Sequence, residues 1–253
     1  MKRLLAYFPA IFTLLCASAL IAHGPIGQPA DYHAFADHAD FMGIAHASDV
    51  LSNLGFALIG LWGILKLWPQ RHHPGILPGR MGYAIFLVCL ILTALGSSYY
   101  HLAPDNARLL WDRLPIALAC AGLLAGAWAE TTLPPGRVVF ATTLLAVFSI
   151  ASVFWWYFTE LNGQGDLRPY LLLQILPIVL IPLWQAIHGA ATEDRLLFGA
   201  AFLLYVFAKL AEVNDHALLA ITNMMISGHT LKHLLAAAAA AALVHRLIQR
   251  TRA

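Results

Sequence analysis

The chain has 253 residues, of which 60% are hydrophobic and 11% charged, and its formal net charge is +2. That balance excludes an ordinary soluble domain, and it excludes nucleic acid as a partner, because Lys and Arg are scattered over segment ends instead of forming a basic patch. The three cysteines, Cys16, Cys89 and Cys120, all lie in apolar runs and make neither a CxxC metal motif nor an extracellular disulfide framework.

Eight apolar windows of helical length follow one another, at about residues 4–22, 48–68, 81–102, 111–129, 138–158, 170–187, 195–213 and 228–245. No alternating strand pattern competes with them. The first window, "MKRLLAYFPAIFTLLCASALIA", has the charged start and apolar middle of a signal peptide with "ASA" as a cleavage site, but it also suits a retained helix, which is the reading adopted. The expectation is an all-α integral membrane protein. Residues 1–24 form an N-terminal apolar segment, transmembrane helix or signal, and 25–253 form a single seven-transmembrane-helix domain. Breaks such as "WPQRHHPGILPGR", "TTLPPGR" and "LNGQGDLRP" separate the windows.

Lys2, Arg3, Lys66, Arg71, Arg80, Arg137, Arg195, Arg246, Arg250 and Arg252 fall in alternate gaps, which predicts that those gaps face the cytoplasm. Arg108, Arg113 and Arg168 are exceptions to this pattern. Both termini are then cytoplasmic if the first segment is retained. Residues 23–47 and 214–227, without Lys or Arg, face outward.

Ionisable groups at membrane depth are costly and therefore point to function. In chain order, "LGSSYYH" places Ser97 and His101 four residues apart on one helix face, "NARLLWDRLP" brings Asp112 to the start of the next window, and "SGHTLKH" places His229 and His233 one turn apart. All of them share the outer side by the loop-charge argument. Three neutral imidazoles from two helices make a ligand set for a tetrahedral zinc ion with an open fourth position. Such an ion lowers the pKa of water towards about 7. Asp112 suits the general base, and Ser97 suits an oxyanion donor or a residue that orients a ligand. Either histidine pair alone is more often interfacial than metal-binding.

Lys209, Glu212 and Asp215 in "AKLAEVNDH" read as polar support for this site or a headgroup contact, with a structural ion pair at a helix end as the plainer alternative. Lys232 is assigned to another helix face than His229 and His233, with its stem reaching to the outer interface and a headgroup contact as the alternative. The run "FWWYF" at 154–158 reads as an interfacial aromatic belt.

These residues resemble the alkaline ceramidase family, within the superfamily of seven-helix membrane hydrolases and adiponectin-type receptors often called CREST. The resemblance rests on Ser97 and His101, then Asp112 eleven residues on, then His229 and His233, with "WDRLPIAL" and "SDVLSNLGF" as supporting stretches, and covers about residues 30–247. It implies a zinc enzyme that hydrolyses the amide of ceramide or a related N-acyl lipid, with His101, His229 and His233 as ligands and Asp112 and Ser97 as catalytic residues. It also implies a membrane lipid as substrate and a site towards the outer face. Animal members carry a calcium site before the first core helix. Here Asp31, Asp37, Asp40 and Asp49 are the acidic residues in that region, but His46 stands near an expected ligand Glu and no Trp is present. A solvated acidic loop is the plainer reading, with a second cation site as the alternative.

Two other classes fit parts of the pattern. A receptor or sensor on the same scaffold would keep the zinc site with little turnover. A haem-binding electron-transfer bundle could use His101 with His229 or His233 but would leave Asp112 without a purpose.

Overall fold

In the computed structural model, which describes Leu5 and residues 7–252, every long element is a helix and the described residues contain no strand, only an isolated bridge between Phe41 and Ile44. The apolar windows become α1 (Phe8–His23), α2 (Ala47–Ser52), α3 (Leu54–Leu67), α4 (Arg80–Leu102), α5 (Asn106–Thr131), α6 (Val138–Leu161), α7 (Arg168–Ile187), α8 (Thr192–Val213), α9 (Asp215–Ile221) and α10 (Gly228–Gln249). With α2 and α3 counted as one 21-residue span, seven helices are long and apolar enough to cross a membrane, and α1 is a shorter apolar helix. The chain therefore has a seven-span helical membrane fold with an extra N-terminal helix. Lys2 and Arg3, used for orientation, lie outside the described residues.

Local chemistry sets the boundaries. Pro134 and Pro135 stop α5 and lead through a 3-10 turn, Pro135–Arg137, into α6, while Gly163 supplies a φ of +73° after α6. Pro115 inside α5 and Pro177 and Pro182 inside α7 remain within helices, as membrane spans tolerate. The seven-residue α9 was hidden from the hydropathy windows because it is too short to fill one.

Internal contacts divide the chain into two units. One contains residues 1–28, 71–86 and 117–195. Within it, α1 and α6 both pack against α7. Asp166 sits in the α6–α7 connection and accepts from Arg168 Nη2 at 2.8 Å, from Trp155 Nε1 at 2.9 Å and from the Ile26 backbone N–H at 3.5 Å. Arg168 Nη1 also donates to the carbonyls of Leu20 and Ile21 at the end of α1. The aromatic run is therefore more than a belt: Trp156 is fully buried, and Trp155 is hydrogen-bonded. Burial pushes the Asp166 carboxyl up, but the Arg168 guanidinium, the Trp155 indole and the backbone N–H groups outweigh it and hold it below the usual carboxylate range.

The other unit contains residues 29–70, 87–116 and 196–253, and all the residues singled out for chemistry lie in it. Its core is the contact of α10 with α2 and α3. The alanine-rich stretch of α10 buries Ala237, Ala239 and Ala240, and a methyl at Gly55 would stand 3.0 Å from the Ala237 Cβ. In hydrocarbon, lipid tails are as apolar as leucine, so small side chains stabilise helix pairs by letting backbones approach and van der Waals contacts accumulate.

Candidate metal centre

The first turn of α10 carries half of the centre. Ser227, in extended conformation, caps the helix by accepting from the Thr230 N–H at 2.8 Å. The next residue has to be glycine: a Cβ at Gly228 would lie 2.1 Å from the Ala211 carbonyl oxygen and 2.6 Å from the Asp215 Cα. Asp215 then accepts from the His229 N–H at 2.7 Å and, with its other oxygen, from the Ala36 N–H at 2.9 Å. One carboxylate thus satisfies an unpaired helix N–H, complements the positive end of α10 and ties down the loop before α2.

That loop closes over the histidines. Phe35 is buried, with its ring centroid 4.6 Å from that of His101 and 4.4 Å from that of His229. Tyr100 supports the loop by a 2.8 Å hydrogen bond with His33 Nδ1, whose Nε2 meets Asn106 Oδ1 at 2.9 Å.

His101 from α4 and His229 and His233 from α10 meet beneath Phe35. Their ring centroids are 4.7, 5.0 and 4.8 Å apart in the three pairs, and one ring nitrogen from each lies within 4.8 Å of the other two. All three are buried, and they are the only group of three or more His, Cys, Asp or Glu gathered in this way among the described residues. Three nitrogens about 2.0–2.1 Å from one tetrahedral ion lie roughly 3.4 Å apart, a spacing that small side-chain rotations from the observed one can reach. The environment of each ring supports that fit. His233 Nδ1 donates to the Asp49 carbonyl oxygen at 3.2 Å, with Ser52 Oγ 2.8 Å away, which fixes the tautomer and leaves the Nε2 lone pair for a ligand. Buried His101 Nδ1 has no hydrogen-bond partner among the described residues. A buried polar nitrogen without a partner costs free energy that a bound metal would offset.

Asp49 organises the support behind His233. Its Oδ1 accepts from Thr230 Oγ1 at 2.6 Å and Ser227 Oγ at 2.9 Å, and its carbonyl accepts from Ser52 Oγ and Asn53 Nδ2, both at 2.9 Å. Fully buried, it joins α2 to the start of α10.

Ser97 and Asp112 meet across α4 and α5. They are buried and hydrogen-bonded to each other, and Asp112 Oδ1 has no hydrogen-bond partner among the described residues. Gly96 permits this: a Cβ there would stand 2.1 Å from the Trp111 carbonyl oxygen. Asp112 is also within electrostatic range of Lys232 and Glu212.

Lys232 departs from the expectation of a side chain reaching to the interface. Its Nζ lies 2.8 Å from Glu212 Oε1 and 3.1 Å from His229 Nε2. The reason is angular: three residues along a helix is only about 60° round it, so Lys232 flanks the His229 face. Lys209 pairs with Glu212 Oε2, as the i,i+3 spacing suggested. His216 Nε2 meets the Ala34 carbonyl at 3.1 Å.

Asp31, Asp37, Asp40 and Asp49 do not gather. Asp37 accepts from the N–H groups of Ala39 and Asp49, each at 3.0 Å, and Asp40 accepts from the Gly43 N–H at 3.1 Å. His46 Nδ1 is hydrogen-bonded to the Asp37 carbonyl, and Asp31 is exposed. The Asp37 and Asp40 carboxylates satisfy loop and helix-start backbone, and that of Asp49 the hydroxyls of Ser227 and Thr230. The contributions of Phe35, Ser52 and the Asp49 carbonyl escaped sequence reasoning, because nothing in local periodicity links them to histidines up to 184 residues away.

No protein-family model matches the chain, and no curated protein is detectably similar to it.

Proposed function

We propose that the chain is a zinc-dependent membrane hydrolase that cleaves the amide of ceramide or a related N-acyl lipid to a fatty acid and a sphingoid base or other amine. The reading rests on one observation: a buried three-histidine cluster and a buried Ser97–Asp112 pair lie in one unit of a protein built from membrane-length helices. The residue pattern resembling alkaline ceramidases supports it.

His101, His229 and His233 hold the ion. Bound zinc supplies Lewis acidity and brings the ionisation of water towards neutral pH. Asp112 takes the proton from the attacking water with its unpartnered Oδ1. As the new C–O bond forms and the amide C–N bond breaks, Asp112 returns that proton to the leaving nitrogen. A positioned base of this kind contributes on the order of 10²- to 10⁴-fold in rate. Ser97 holds the carboxylate in place, and Phe35 keeps water off the outer side of the rings. A lipid reaches the site between helices while its tails stay in hydrocarbon. The loop-charge pattern puts the site towards the outer face.

The test is metal analysis with a lipid-panel hydrolysis assay on wild type and Asp112→Asn. Zinc in both proteins with amide cleavage only in wild type is the expected result. Zinc with no cleavage of any N-acyl lipid by wild type overturns the reading.

A further inference from the structure

The structure carries one charged group that the mechanism above does not use, set against a candidate metal ligand. Lys232 Nζ is 3.1 Å from His229 Nε2, and its only carboxylate contact, Glu212 Oε1 at 2.8 Å, belongs to a group whose other oxygen is held by Lys209. Two ammonium groups therefore share one carboxylate. The remaining acid in range, Asp112, is the proposed proton acceptor, and the three histidines serve as neutral ligands. Lys232 has three protons to donate, and with the lone pair of His229 given to an ion, Glu212 is the acceptor left to it in hydrogen-bond contact among the described residues.

We propose that Lys232 receives an anionic group of the substrate, a carboxylate one carbon from the scissile amide nitrogen, so that the preferred lipids are N-acyl amino acids and not neutral ceramide. The proposal rests on the amide-hydrolase reading and names its substrate class. Length supports it. In such a lipid the carbonyl carbon, nitrogen, α-carbon and carboxylate carbon are joined by bonds of about 1.3–1.5 Å, which puts the carboxylate within roughly 2.5–4 Å of the carbonyl carbon. Lys232 Nζ stands at the same scale, 3.1 Å, from Nε2 of the candidate ligand His229. Charge supports it too, because a partly buried ammonium favours an anion over a hydroxyl, and a hydrogen bond to a charged group is about twice as strong as a neutral one. Glu212 keeps the ammonium oriented, and Lys209 holds Glu212.

The experiment compares N-palmitoylglycine with N-palmitoylethanolamine, which share an acyl chain and differ in a carboxylate against a hydroxymethyl group. Binding and initial hydrolysis are measured on the zinc-loaded full chain in mixed micelles, and zinc content is followed on the same samples. Wild type should bind the glycine conjugate about tenfold or more tightly. Lys232→Arg should keep the preference, and Lys232→Met combined with Glu212→Gln, which leaves no unpaired carboxylate, should bring the ratio to about one. Equal or reversed preference in wild type overturns the proposal whether or not the double variant folds, as does a wild-type ratio in the double variant. Cleavage of both amides without preference defeats this inference and leaves the hydrolase reading standing. Selective binding that follows Lys232, with neither amide cleaved, does the opposite.

Discussion

Gly96→Ala is a small change with a calculable consequence. The added methyl would lie 2.1 Å from the Trp111 carbonyl oxygen and 2.9 Å from its carbonyl carbon, where ordinary contact begins at 3.4 Å. Both atoms are rigid backbone. Helix α5 therefore has to retreat by about 1.3 Å at the residue before Asp112, an overpacking that costs typically about 1–3 kcal/mol. The candidate ligands stand on α4 and α10, whereas Asp112 stands on α5. Zinc should stay bound while the base moves away from its place, and a displacement of about 1 Å lowers rate by about 100-fold. The assay is kcat on an N-acyl lipid, zinc content and Tm in one detergent. Gly199→Ala serves as the control, because a Cβ there meets nothing within 4 Å. An activity within about threefold of wild type for Gly96→Ala, or an equal loss for Gly199→Ala, would refute the reasoning.

Further outcomes follow from the same contacts. Asp112→Asn keeps the shape but cannot accept the proton, so kcat should fall by about 10²- to 10⁴-fold with zinc retained, read by rapid kinetics and metal analysis. Ser52→Ala removes the hydroxyl 2.8 Å from His233 Nδ1 and should weaken zinc binding about tenfold in a competition titration against a chelator, as the loss of a group orienting a ligand does. For Asp166 the folded pKa is depressed, so its stabilising contribution is present above the ordinary carboxylate pKa of about 4 and is lost as pH falls below it. The Tm difference between wild type and Asp166→Asn should be largest near neutral pH and should shrink as pH is lowered below about 4.

The spans were legible because hydropathy over 20 residues integrates many small contributions: the window at 138–158 became Val138–Leu161, and that at 81–102 became Arg80–Leu102. Within a helix, four-residue spacing sufficed to put His229 beside His233, and it sets Ser97 and His101 on one face of α4. What could not be read was contact between distant segments. Asp49 and Ser52 support His233 through a carbonyl and a hydroxyl, groups that every sequence offers in abundance. Phe35 sits in a loop with no period. Lys232 was misplaced because its partner, Glu212, lies on another helix, and a 60° offset reads as a separate face until that partner is known. The acidic residues between 31 and 49 suggested a cation site by composition, but Asp37 and Asp40 accept from backbone N–H groups and Asp49 from the hydroxyls of Ser227 and Thr230.

The central claim is that His101, His229 and His233 hold one metal ion. Inductively coupled plasma mass spectrometry on detergent-purified wild type and on His101→Ala, His229→Ala and His233→Ala measures it directly. The account predicts roughly one zinc per chain in wild type and a small fraction of that in each variant, with the helical circular dichroism preserved. Equal zinc in wild type and in all three variants, or a folded wild type that takes up none from zinc-supplemented buffer, would contradict it.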